Sequence, residues 1–153
     1  DVLYRGESAD VLLVSVGAMA KISVEAASQA YREGVGVTVI DPRWVKPLPK
    51  SLLTMAQRYK SVVVVEDGIR HGGIASTISE MFRDAEINVP IHSIGVPLEF
   101  IEHSKRGEIM NDLGITAQNI THQLVSWSSS LKDQLNGDVM PAKQLPLDEK
   151  PGR

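Results

Sequence analysis

Ser61-Val62-Val63-Val64-Val65-Glu66, followed by Asp67-Gly68-Ile69-Arg70-His71-Gly72-Gly73, carries an unbroken apolar run into a glycine-rich turn. A run of this kind marks a strand covered on both faces, as the central strands of parallel sheets are. It predicts a central strand over 61–66, a turn over 67–73 and then a helix whose apolar face is Ile74, Ile78, Met81 and Phe82. The same rhythm recurs on either side. Val11 to Val16 is a second apolar strand ending at Gly17. Met19, Ile22, Ala26 and Ala30 follow at spacings of three and four, and Gly34 is placed to cap that helix.

Val35 to Asp41 reads as a β-branched strand closed by Pro42, and Ser51, Leu52, Ala56 and Tyr59 as a short helix beyond an extended loop. Ile91 to Val96 is a fourth core strand. Two helices follow, one around 108–113 capped by Gly114, the other around 117–131 with Ile120, Leu124, Trp127 and Leu131 on one face. Val2 to Arg5 predicts a short edge strand that reverses onto the sheet through Gly6. Strands alternating with helical periods define an α/β fold: three layers, a mostly parallel sheet of about five strands and helices on both faces. One domain over 1–131 is expected, with a disordered tail over 132–153, where three of the eight prolines fall in the last 13 residues.

Composition removes whole classes of function. The 153 residues contain no cysteine, which excludes disulfides, thiolate metal sites and cysteine nucleophiles. Lys and Arg number 16 against 19 Asp and Glu, a net charge of −3 with no basic run, so a nucleic-acid partner is not expected. The longest apolar runs, Val11 to Val14 and Val62 to Val65, fall far short of the roughly 20 residues that cross a bilayer. The first ten residues show no secretory pattern. A cytoplasmic protein without a membrane partner is the expectation.

Two loops concentrate unusual chemistry. Glu66-Asp67-Gly68-Ile69-Arg70-His71-Gly72-Gly73 leaves the carboxyl end of a central strand and enters a helix, the edge where open α/β sheets bind ligands. It departs from the dinucleotide fingerprint and lacks the Lys-Ser/Thr of a phosphate loop, so packing against another domain or subunit is favoured over a phosphate cradle. His71 has only Glu66 and Asp67 near it in sequence and reads as an interface or surface histidine. His92, His103 and His122 have no metal-ligand spacing. Asp41-Pro42-Arg43-Trp44-Val45-Lys46-Pro47-Leu48 joins an acid, a large aromatic and two cations in a proline-bound loop. Either Trp44 covers the sheet edge while Asp41 and Arg43 fix the loop by charge-assisted hydrogen bonds, or the loop is a recognition surface, since Trp and Arg dominate interface hot spots. No serine lies in a nucleophile elbow.

Taken in order, these loops resemble the third domain of the transketolase-like thiamine diphosphate enzymes, most closely the 1-deoxy-D-xylulose-5-phosphate synthase family. The resemblance rests on Val39-Ile40-Asp41-Pro42-Arg43-Trp44-Val45-Lys46-Pro47-Leu48, on Val63-Val64-Val65-Glu66-Asp67 with Gly72-Gly73, on Ile94-Gly95-Val96-Pro97-Leu98-Glu99-Phe100-Ile101-Glu102-His103, and on Leu113-Gly114-Ile115-Thr116. It spans roughly residues 2–131. It implies an enzyme that decarboxylates pyruvate on thiamine diphosphate and passes the two-carbon unit to glyceraldehyde 3-phosphate, for isoprenoid, thiamine and pyridoxal synthesis. It also implies that diphosphate, Mg²⁺ and aminopyrimidine are held by two upstream domains, and that the third domain completes a homodimer. The family's Gly-Asp-Gly and paired asparagines are absent; Glu66-Asp67-Gly68 with Asn88 is only an imitation. No catalytic, cofactor-binding or metal residue is therefore expected in this chain, which alone should be inactive. Asp41, Arg43, Trp44, Glu66, Asp67, His71, Gly72 and Gly73 are the interface candidates. Two other readings stand beside this one. His71-Gly72-Gly73 is as much like a subunit of a split transketolase or a 2-oxoacid dehydrogenase component, and the Gly72-Gly73 helix start could serve a stand-alone anion sensor.

Overall fold

The computed structural model of the chain describes residues 1–97 and 106–136. Strands β1 (Val2–Tyr4), β2 (Val11–Ser15), β3 (Val37–Ile40), β4 (Ser61–Ile69) and β5 (Ile91–Val96) form one sheet in the order β1-β3-β2-β4-β5. The neighbours β3, β2, β4 and β5 are parallel, and β1 runs antiparallel on the outer side of β3, with Val2 opposite Ile40. The helices are α1 (Ala20–Arg32), α2 (Ser51–Ala56), α3 (Ile74–Asp84), α4 (Arg106–Asp112) and α5 (Ala117–Asn136), with a 3₁₀ turn at Gly17–Met19.

Period-two alternation divides the sheet residues between two cores. Val11, Leu13, Val37, Val39, Val63 and Val65 pack against α1 and α5. Leu12, Val14, Val62 and Val64 pack on the other face with Leu52 and Ala56 of α2 and Ala75, Ile78 and Phe82 of α3. This is the three-layer α/β arrangement expected from the apolar runs. Each fully buried valine or leucine contributes about 1.5–3 kcal/mol relative to an exposed one, which is why the runs are continuous rather than alternating.

Helix ends follow local chemistry. Gly34 caps α1 with φ +79°: its N–H donates to the Tyr31 carbonyl and that of Val35 to Ala30, both at 3.0 Å. Gly114 does the same after α4, with Ile115 N–H on the Met110 carbonyl at 2.8 Å. After α3 the same wrap is made by Glu86, a non-glycine at φ +55°, which no turn signal in the sequence marked.

Strands β1 and β2 end one residue early, at Tyr4 and Ser15, α2 ends at Ala56 short of Tyr59, and three further boundaries differ from expectation. The strand expected over 35–41 is trimmed to 37–40, because Val35 N–H belongs to the α1 cap and Asp41 N–H donates to the Asp1 carbonyl. β4 continues through Asp67-Gly68-Ile69, read from sequence as a turn, and Ile69 pairs with Val96. α5 runs through Lys132 to Asn136, into the segment expected to be disordered. Residues 137–153 of that expected tail, and Leu98–His103 of the third motif, lie outside the described residues. Among the described residues, no helix is long and apolar enough to cross a membrane.

Candidate functional site

Within the parallel part of the sheet the chain moves from β2 to β3 on one side and then to β4 and β5 on the other. The direction of winding reverses between β2 and β4. The crevice at the carboxyl ends of two such strands is where an open α/β sheet ordinarily takes a ligand.

In this chain β4 carries two consecutive carboxylates at this edge, Asp67 beside Gly17 after β2 and Glu66 against the start of α3. Asp67 packs against Gly17, which has φ +69°; a Cβ on that glycine would sit 2.8 Å from Asp67 Oδ1. Glu66 is 4% exposed, and its carboxylate accepts the Ile74 N–H at 3.1 Å and the Ala75 N–H at 3.5 Å. These are N–H groups that the first turn of a helix leaves without intrahelical partners. A negative side chain there is also favoured by the helix dipole. Glu66 thus stands where an external anion would bind, which removes the geometric basis of the anion-sensor reading.

Irregular pairing makes room for this arrangement. Val65 is opposite Ile94 and Ile69 is opposite Val96, so Glu66, Asp67 and Gly68 together face Gly95. A Cβ on Gly95 would lie 3.1 Å from the Gly68 carbonyl oxygen and 3.3 Å from Glu66 Cγ. Gly73 is more constrained still, since a Cβ there would meet the two Glu66 oxygens at 2.4 and 2.6 Å. Gly72 serves a different purpose: it has φ +73° and open space around it. Beyond the bulge, the Arg70 N–H donates to the Val96 carbonyl at 2.8 Å. Ile69, Arg70 and His71 are left exposed on the rim.

The other loop lies elsewhere on the same edge, two strand positions away because β2 separates β3 from β4. Asp41 accepts the Arg43 N–H at 2.7 Å, and the Arg43 guanidinium pairs with the Asp1 carboxylate rather than with Asp41. Arg43 adopts φ +61° at the centre of a three-residue turn closed by Trp44 N–H on the Pro42 carbonyl. Trp44 is 72% exposed, so it does not cover the sheet edge. Val45, Lys46, Pro47 and Leu48 instead run along α3, forming a depression of about 360 Å³ with Thr77, Glu80, Met81 and Asp84.

The eight candidate residues therefore separate into two groups. Glu66 and Gly73 meet at the start of α3, with Asp67, His71 and Gly72 in the same loop, whereas Asp41, Arg43 and Trp44 belong to the second loop. Of these, Glu66 is a buried scaffold residue rather than a contact residue. His71 is exposed, and His92 is not a ligand candidate: its ring stacks on Trp127, centroids 4.2 Å apart and planes 6° from parallel. Among the described residues, no three His, Asp or Glu side chains are grouped so as to hold a metal ion. Sequence reasoning missed a depression of about 1020 Å³ between Met19 of the 3₁₀ turn and Ile22 of α1 on one side and Met110, Asn111 and Ile115 on the other; nothing in the residue pattern signals it.

Residues 1–120 match the family described as Transketolase, C-terminal domain, and the chain belongs to that family. Among similar curated proteins is the 1-deoxy-D-xylulose-5-phosphate synthase of Mycobacterium sp. (strain KMS), 45% identical over 126 residues, covering 82% of this chain and 20% of that protein. The synthase of the same name from Leifsonia xyli subsp. xyli (strain CTCB07) is 42% identical over 150 residues, 97% of this chain and 22% of its own length. The chain thus spans about a fifth of these relatives. A solved split-gene transketolase, described as an inactive beta4 tetramer, superimposes with TM-score 0.73 at 28% identity over 83% of this chain and 41% of that one. A transketolase from Pichia stipitis shares the fold, with TM-score 0.64 at 15% identity over 86% of this chain and 18% of that one.

Proposed function

We propose that this chain is the C-terminal domain of a 1-deoxy-D-xylulose-5-phosphate synthase. In that role it docks through its carboxyl-edge loops on the upstream domains and the second subunit of a homodimer, and has no turnover by itself. The observation that carries the reading is the match of nearly the whole chain, at 42% identity, to about a fifth of a protein of that name. The reaction of the whole enzyme would condense pyruvate with D-glyceraldehyde 3-phosphate, releasing CO₂.

The start of α3 does not fit the diphosphate of thiamine diphosphate, because the N–H groups that it would use are engaged by Glu66. Cofactor and metal fall to the rest of the polypeptide, and the work of this chain is to present a surface. Trp44 is the natural anchor of that surface, because an exposed indole on a loop fixed by Asp41 and Arg43 gains most when a partner covers it.

The test compares the purified chain with the full-length polypeptide. CO₂ release from pyruvate, dependent on glyceraldehyde 3-phosphate, is expected only from the longer protein, and turnover by the chain alone would end the reading. In the full-length protein, Trp44→Ala should weaken subunit association by roughly 10- to 100-fold, the range of an interface anchor. Melting of the isolated chain should stay within about 0.5 kcal/mol of wild type. The likeness to the split-gene transketolase supports a second reading, in which the chain is a separate subunit beside a thiamine-binding chain. A native polypeptide several times longer than 153 residues, detected in a lysate with an antibody to this domain, would decide for the first.

A further inference from the structure

We infer that Glu66 is the positioning residue of the rim segment Asp67–His71, fixing its path over the sheet edge without itself reaching any partner. The inference rests on the docking reading above, because it takes the exposed rim as the surface that the second subunit meets. Four observations converge. Glu66 is 4% exposed, so its carboxylate is out of reach of another protein surface. Its two oxygens bind the first amides of α3, Ile74 and Ala75, eight and nine residues along the chain. Glycines at 73 and 95 leave the space in which that carboxylate and its methylenes lie. The other end of the rim segment is tied by the pairing of Ile69 with Val96 and by the Arg70 N–H on the Val96 carbonyl.

The consequence follows from geometry. Three residues face the single Gly95, Glu66 turned inward and Asp67 and Gly68 exposed, which is a costly path unless both its ends are held. The β5 end is held by backbone pairing. The α3 end has Glu66, whose charge-assisted bonds draw the helix start under the bulge, so that Ile69, Arg70 and His71 project outward together. Ile69, 49% exposed although it belongs to a strand, is the visible result.

Hydrogen exchange and association separate this role from general stability. In Glu66→Ala, exchange at the Ile74, Ala75 and Arg70 amides should quicken roughly tenfold or more, the scale of a lost bond to a charged acceptor. The β2 amides of Val11–Ser15 should stay protected. Subunit association of the full-length polypeptide should weaken about tenfold alongside it. Glu66→Gln keeps the shape and one acceptor oxygen and should fall between; it also serves if the alanine variant does not fold. Trp44→Ala should weaken association while leaving Arg70 exchange untouched. Unchanged Arg70 exchange in both Glu66 variants would overturn the positioning role. Faster Arg70 exchange with unaltered association would overturn the inference by its other premise, showing that the rim is ordered by Glu66 but is not the docking surface.

Discussion

The Lys60 ammonium donates to Asp10 Oδ1 at 2.7 Å, while the other oxygen of the same carboxylate accepts the Ser8 hydroxyl at 2.6 Å and the Gly36 N–H at 2.9 Å. One buried side chain thereby ties together the three segments that enter β2, β3 and β4 at the amino edge. Burial acts most strongly on Asp10 and pushes its pKa up. The bonds from Lys60, Ser8 and Gly36, with the Lys60 charge, together outweigh it and bring the carboxyl down from 3.8 to about 2. A difference of that size corresponds to about 2 kcal/mol. Because the folded value lies below the unfolded one, the stabilisation is complete above about pH 4 and is lost as pH falls toward 2. Urea unfolding from pH 7 to 2 should show wild type losing about 2 kcal/mol more than Asp10→Asn across the acidic window. Parallel profiles for the two proteins would refute this.

His92 and Trp127 make a second pH-dependent contact, now between the edge strand β5 and α5. Burial lowers the His92 pKa, so the folded chain prefers the neutral ring. The contribution is therefore full above the unfolded value of 6.5 and declines as pH drops below it. His92→Phe preserves an aromatic partner for Trp127 and removes the titration. Melting temperatures at pH 7, 6 and 5 should fall less steeply for the phenylalanine variant than for wild type. Equal slopes would mean that the stack does not sense the proton.

Much of the fold was legible because the sheet is covered on both faces: Val11–Val14 and Val62–Val65 have no solvent side on which a polar residue would be favoured. Gly34 and Gly114 were readable as caps for an equally direct reason, the low cost of a positive φ at glycine. The end of β4 was not. Asp67-Gly68 is a turn signal in isolation, and only the pairing of Ile69 with Val96 shows the backbone bulging and continuing as strand. Gly95 carried the missing hint, since a glycine inside a strand often marks close approach of another backbone. Glu66 was recognisable as unusual but not as buried: alternation with Val62 and Val64 puts it on the α3 face, but its burial comes from the start of α3 folding back onto it, which the turn residues do not reveal. Lys132–Asn136 escaped as helix because four of the five are polar, although Leu135, four residues after Leu131, continues the apolar spacing.

Gly72 and Gly73 adjoin in sequence, yet their requirements differ, and alanine at each should tell them apart. At Gly73 the backbone is ordinary, with φ −77° and ψ −166°, so any penalty comes from crowding. The new methyl would lie 2.4 and 2.6 Å from the Glu66 oxygens and 2.6 Å from the Ile69 carbonyl, and a backbone carbonyl cannot swing aside. Gly73→Ala should cost at least 1–3 kcal/mol, the usual range for overpacking, about 4–12 °C in melting temperature for a domain of this size. Gly72→Ala meets no atom within 4 Å and is penalised only through φ +73°, about 1–2 kcal/mol. Pairing each with Glu66→Ala distinguishes the two mechanisms. Removing the carboxylate should relieve part of the Gly73→Ala cost, because two of its three close neighbours disappear, and should leave the Gly72→Ala cost unchanged. Strict additivity in the Gly73 cycle, measured by urea unfolding at pH 7, would show that the Glu66 carboxylate does not lie against that glycine.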